Sequence, residues 1–112
     1  MDVILEHVKT VVGDPLTETM FNVELLGHIN GCVAKLVQLG VTPYDGIFVE
    51  EDTMWPVIDN PTLKSLVMLF LPGTVNAAFD RTANETVRNS TAQYLSELEE
   101  RIILEASLTY EV

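Results

Sequence analysis

Two histidines, one cysteine and one run of three acids are the residues of this 112-residue chain whose types invite chemistry. A metal site needs two or more ligands at fitting spacing. Neither His7 nor His28 has a second histidine four residues on, and there is no Cys-x-x-Cys, so both are expected in structural or solvated roles. Cys32 stands alone, which rules out an intramolecular disulfide and points to a reducing compartment. Ile29, Val33 and Leu36 around it predict a core thiol. Glu50-Glu51-Asp52 lacks the alternating oxygen ligands and central glycine of a calcium loop, so it reads as an exposed acidic turn. No Ser/His/Asp order, nucleophile elbow, phosphate-cradling loop or dinucleotide fingerprint occurs. The expectation is a protein without catalytic residues, metal or cofactor.

Composition narrows the partners. The net charge is −11, from 17 acidic against 6 basic side chains. Affinity for a polyanion comes mainly from Lys and Arg neutralising phosphates, so this balance argues against nucleic-acid binding and against an anionic membrane surface. Hydrophobic residues make up 47% of the chain and charged ones 21%. A chain of this length forms one small domain with much surface for its volume. Its apolar surplus therefore either fills the core densely or lies on a surface that a partner covers. The start carries Asp2 and Glu6 with no basic residue, unlike a secretory signal. The longest apolar run, Leu66 to Leu71, is far too short to span a bilayer.

The elements follow from apolar spacing. A first helix is predicted from an N-cap at Asp2 to Val12, closed by Gly13, with Ile4, Leu5, Val8, Val11 and Val12 inward and Glu6, Lys9 and Thr10 outward. A second runs from Met20 or Asn22 to Leu39, ended by Gly40. Gly27 and Gly31 inside it each cost about 1 kcal/mol relative to alanine, so close packing by a neighbouring helix is expected there. From Thr42 to Pro61 the helical period disappears, and Ile47-Phe48-Val49 reads as a short strand. This segment holds Asp45, Glu50, Glu51, Asp52 and Asp59 with no basic residue, while Phe48 and Trp55 argue for ordered contact. A third helix should start after Asn60-Pro61, apolar nearly all round through Leu63, Leu66, Val67, Phe70 and Leu71. Pro72-Gly73 should kink or break it, leaving a second piece from Thr74 to Asp80. The fourth opens on the capping-box pattern Thr82-Ala83-Asn84-Glu85, buries Val87, Tyr94, Leu95, Leu98 and Ile102, and pairs Glu97 with Arg101 outside. Leu104, Ala106, Leu108 and Tyr110 alternate, which suggests an extended tail. The fold class is all-α: a small bundle of four to five helices with a long acidic loop and an extended C-terminal tail. The helical domain covers residues 1–103 and the tail residues 104–112.

One pattern in the second helix goes further. Phe21-Asn22-Val23-Glu24, then His28-Ile29-Asn30 and Leu36-Val37-Gln38-Leu39-Gly40-Val41, resembles the small head–tail connector (adaptor) proteins of tailed bacteriophages. The likeness spans roughly Val3 to Ile102. It continues through Thr53-x-Trp55, Leu63-Lys64 and Phe79-Asp80, and through Glu97-Leu98-Glu99-x-Arg101-Ile102. Two departures stand out: the third helix is more apolar than in the proteins it resembles, and Asp80 is followed by Arg81-Thr82 instead of Pro-Pro.

The resemblance implies a structural protein of the virion neck, assembled in the host cytoplasm, that does no chemistry. It would form a closed ring, a dodecamer by family likeness, between the portal protein and a stopper or tail-completion protein. DNA would pass through the ring without specific binding, and no membrane is involved. Family adaptors use their C-terminus at the portal, which marks Leu104, Leu108, Tyr110 and Val112 as portal-contact residues. Phe48, Glu50, Glu51, Asp52 and Trp55 then belong to a subunit interface or to the channel lumen. The alternative is an intracellular helical-bundle regulator that binds a partner helix in its own groove. A stable monomer or dimer with an open apolar cleft would favour it.

Overall fold

The computed structural model describes residues 2–79 and 84–110 of the chain. Four helices carry the fold: α1 (Ile4–Val12), α2 (Asn22–Gln38), α3 (Pro61–Phe79) and α4 (Glu85–Tyr110), with a 3₁₀ turn at Thr42–Tyr44. Among the described residues the β-structure is limited to an isolated bridge between Val3 and Met54. The all-α bundle expected from the apolar spacing is what forms.

The apolar girth of α3 decides the architecture. Leu63, Leu66, Val67, Phe70, Leu71 and Val75 are all buried, and α1, α2 and α4 each pack against this one helix. Ile4, Leu5 and Val8 face it from α1; Leu25, Ile29, Val33 and Leu36 line α2; Leu98, Ile102 and Ala106 line α4. The helix does not break at Pro72-Gly73 as expected but runs unbroken through both residues to Phe79. Pro72 is itself buried, so packing on several sides outweighs the hydrogen bond that its missing N–H forfeits. Gly73 leaves room for α4: a β-carbon there would lie 3.3 Å from the Leu95 side chain. Because α3 is continuous, its length and apolar composition would suffice to cross a bilayer, contrary to the expectation from Leu66–Leu71 alone. Here it serves as the core helix.

Two helix starts depart from the sequence reading. Asp2 does not cap α1. Val3 holds the cap position without a side-chain bond, and the Ile4 N–H donates to the Thr53 carbonyl at 3.0 Å. The Trp55 N–H donates in turn to the Asp2 carbonyl at 2.9 Å, so the distant loop satisfies the start of α1. Gly13 closes the helix with φ +80°, as its position predicted. Asn84 caps α4, its Oδ1 accepting from the Val87 N–H at 2.9 Å. Thr82 and Ala83 of the expected capping box, with Asp80 and Arg81, lie outside the described residues. Val87 and Tyr94 are half exposed, not inner, and no ion pair joins Glu97 to Arg101 among the described residues.

The C-terminal tail is also different. Residues 104–110 are the last turns of α4, not an extended arm. Asn60 explains much of this. Its Oδ1 accepts from the N–H groups of Thr62 and Leu63, capping α3, while its Nδ2 donates to Glu105 Oε2 at 3.0 Å and Thr109 Oγ1 at 2.9 Å. One side chain thus starts α3 and ties down the end of α4. Asn60→Asp should keep the cap but withdraw the amide donor from Glu105 and Thr109 and set a second carboxylate against Glu105. The expected loss is about 1–3 kcal/mol in urea unfolding, with faster amide exchange confined to the last turns of α4.

Candidate interface

The long acidic loop between α2 and α3 contains no strand at Ile47-Phe48-Val49. Asn30 on α2 takes the place of a strand partner. Its Nδ2 donates to the Val49 carbonyl at 3.0 Å and its Oδ1 accepts from the Val49 N–H at 2.7 Å. Val49 is fully buried, so both backbone groups would otherwise lose water without compensation. Two turns earlier, Asn22 Nδ2 donates to Glu51 Oε2 at 3.3 Å. With the Thr53 and Trp55 bonds to α1, the loop is held at three places.

Asn22 is positioned by a residue read as outward-facing. Lys9 is 2% exposed: its Nζ donates to Asn22 Oδ1 at 2.9 Å and to the Glu18 carbonyl, and lies 3.5 Å from Asp14 Oδ2. The connection between α1 and α2 folds over this ammonium. Hydrophobic periodicity sees only the helix face on which Lys9 sits, so it missed the network; Asp14 just past the Gly13 closure was the available hint. Asn22 and Asn30 were visible only as letters in the family-like run.

The loop so held stands off α2 and leaves an open groove of about 580 Å³. Val23, Leu26, Gly27 and Phe48 give it apolar walls, and Glu50, Glu51 and Asp52 form an acidic rim. Phe48 is 75% and Val23 85% exposed, large apolar side chains that a lone domain would gain by covering. A β-carbon added at Gly27 or Gly31 would meet nothing within 4 Å outside its own helix, which corrects the expectation of a close helix neighbour. Gly27 instead keeps the groove wall low.

Four of the five loop residues singled out from the sequence, Phe48, Glu50, Glu51 and Asp52, therefore meet at one groove. Trp55 does not join them. It lies half-buried against α1, its ring edge-on to His7 at 5.6 Å between centroids. The second candidate surface is the end of α4, where Leu104 and Leu108 are 60% and 70% exposed and Tyr110 is half-buried; Val112 lies outside the described residues. The remaining family-like residues meet by packing: Phe21 stands edge-on to Phe79 at 5.3 Å.

Burial pushes the His7 pKa down. His28 lies 4.0 Å from Glu24, one turn away on the solvent side. Among the described residues no group of three or more His, Cys, Asp or Glu is placed to hold a metal ion. Cys32 is in the core as expected, and burial pushes its thiol up to about 12. The Tyr44 phenol is raised by burial as well. Both groups ionise to anions, and the unfolded chain ionises first. The contribution of Cys32 is whole below about pH 9 and is lost as pH rises from there toward 12, and that of Tyr44 starts to fall only above about pH 10. The expected slope is about 1.4 kcal/mol per pH unit for each group, and Cys32→Ala should flatten it in alkaline urea titrations.

A small helical bundle with an acidic, apolar-floored groove on one flank and a bare apolar helix end is built for contact with other proteins. The family model described as phage connector protein matches residues 4–109, nearly the whole chain, and the chain belongs to that family. It is thus a structural component of a phage particle, working among other phage structural proteins. No curated protein and no solved structure matches the chain.

Proposed function

We propose that this connector is a neck protein that forms a closed ring between the portal and the stopper or tail, continuing the DNA channel and catalysing no reaction. The observation that carries the reading, beside family membership, is that one small bundle exposes large apolar side chains on two separate surfaces. Phe48 and Val23 line the groove, while Leu104 and Leu108 stand at the end of α4. A subunit of a cyclic ring needs lateral surfaces and an axial one. The α4 end, with Leu104, Leu108 and Tyr110, is the portal contact, presented as a helix and not as an unfolded arm. The net charge of −11 suits a wall past which a duplex slides, since each Lys–phosphate contact would add affinity and drag. Assembly takes place in the host cytoplasm, and a dodecamer follows from family likeness. Family membership displaces the regulator reading.

Imaging of the chain incubated with the portal ring of the same phage tests this reading. Rings seated on the portal are expected, together with no salt-sensitive DNA binding in an anisotropy titration. The pair L104S/L108S should keep the wild-type helical signal yet lower portal affinity about tenfold or more. Unchanged portal affinity would remove the α4 end from the contact. A wild-type chain that stays monomeric beside the portal would overturn the ring.

A further inference from the structure

The groove and the outer flank of α4 lie on opposite sides of the bundle. Lys35 pairs with Glu99, and Gly40 approaches Ala106, so these residues mark where α2 and α4 face each other. On α2, the groove residues Val23, Leu26 and Asn30 lie roughly a third to half a turn round the helix from Lys35. On α4, Val87, Tyr94 and Arg101 recur every seven residues, and lie about as far round from Glu99. Val87 and Tyr94 are about half exposed and Arg101 is exposed. Arg101 makes no ion pair among the described residues, although Glu97 sits one turn before it.

The two flanks are complementary. One offers apolar walls under a rim of carboxylates; the other offers an apolar stripe leading to a cation that has no ionic partner among the described residues. Of the other exposed cations, Lys64 lies beside Asp2 and Trp55, and Arg88 lines, with Val87, the hollow between α4 and the end of α3. In a chain of net charge −11, approach of two copies is repulsive unless such a cation meets the acids directly.

We infer that the groove of one copy receives the Val87–Tyr94–Arg101 flank of a second copy, with Arg101 entering the rim at Glu50 and Asp52. The contact is heterologous, head to tail, because each copy carries both surfaces on opposite flanks, and contacts of that kind close into rings. It leaves the last turns of α4 free for the portal. The inference rests on the ring reading above and names its lateral surfaces.

Charge reversal on the full chain decides it, read as rings on the portal by particle imaging. R101E and D52R alter exposed side chains, so each should keep the wild-type helical signal and melting temperature. Each alone should reduce assembled rings about tenfold or more. The double variant R101E/D52R should restore assembly, and so should an equimolar mixture of the two single variants. R101K should assemble normally. Wild-type yields from both single variants, or no recovery in the double, would overturn this interface while the ring itself stands. Absence of rings from the wild-type chain would instead overturn the ring reading and this contact with it.

Discussion

Replacing Lys9 with methionine should destabilise the domain more than any other single change among its polar residues. Methionine keeps the length and apolar stem of lysine but withdraws the ammonium. Asp14, whose side chain is 7% exposed, is then left as an unpaired carboxylate out of water. The Glu18 carbonyl and Asn22 Oδ1 lose a donor in the same stroke. Breaking one side of a buried pair costs about 3–5 kcal/mol, against a total stability of about 5–15 kcal/mol for a domain. A melting temperature lower by roughly 15 °C or more is expected for a chain of this size. The double variant K9M/D14N should recover a good part of the loss, because the stranded charge is gone. If K9M melts within a few degrees of wild type, the network is not a structural element.

The second large effect is expected at Asn30. Asn30→Ala withdraws both bonds to the buried backbone of Val49, and an unsatisfied buried group costs about 1–3 kcal/mol. The loop can swing out to find water, so the expected loss is about 2 kcal/mol in urea unfolding. The consequence for the groove is larger than for the fold. With Val49 released, Phe48 and the rim residues lose their place opposite α2, and assembly on the portal should weaken more than stability does. Asn30→Asp keeps the acceptor for the Val49 N–H and loses only the donor, so it should fall between alanine and wild type. Amide exchange at Val49 checks the mechanism directly, since protection there should vanish in the alanine variant. Retained protection would mean that the loop is held elsewhere.

Both effects involve residues whose importance no local pattern announces. Lys9 occupies a position that helical periodicity assigns to solvent, and only the fold of the α1–α2 connection turns that position inward. Asn30 lies on a helix face that looks merely polar. Its partner is 19 residues away, and the intervening loop has no period from which to read the contact. The tail shows the same limit. Leu104, Ala106, Leu108 and Tyr110 alternate, but Ile102, Ala106 and Tyr110 also recur every four residues, so a nine-residue window satisfies both templates. The Asn60 tether, 45 and 49 residues upstream of its partners, accompanies the helical choice. Pro72 follows the opposite logic, where a strong local breaker is outweighed by packing round the whole helix.

By itself the amino-acid sequence determined the all-α class and the order of the helices, the stops at Gly13 and Gly40, the start at Asn60-Pro61, the core thiol at Cys32, and the connector family. All of these depend on residues within a few turns of one another, or on a pattern of letters. Only the tertiary structure decided that α3 is the continuous central helix, that Lys9 is buried, that the acidic loop stands against α2 to open a groove, and that α4 carries its apolar residues to its end. The physical reason is range. Periodicity and capping act over the three or four residues of a helical turn, whereas a buried polar group must find its partner wherever the packed chain brings one.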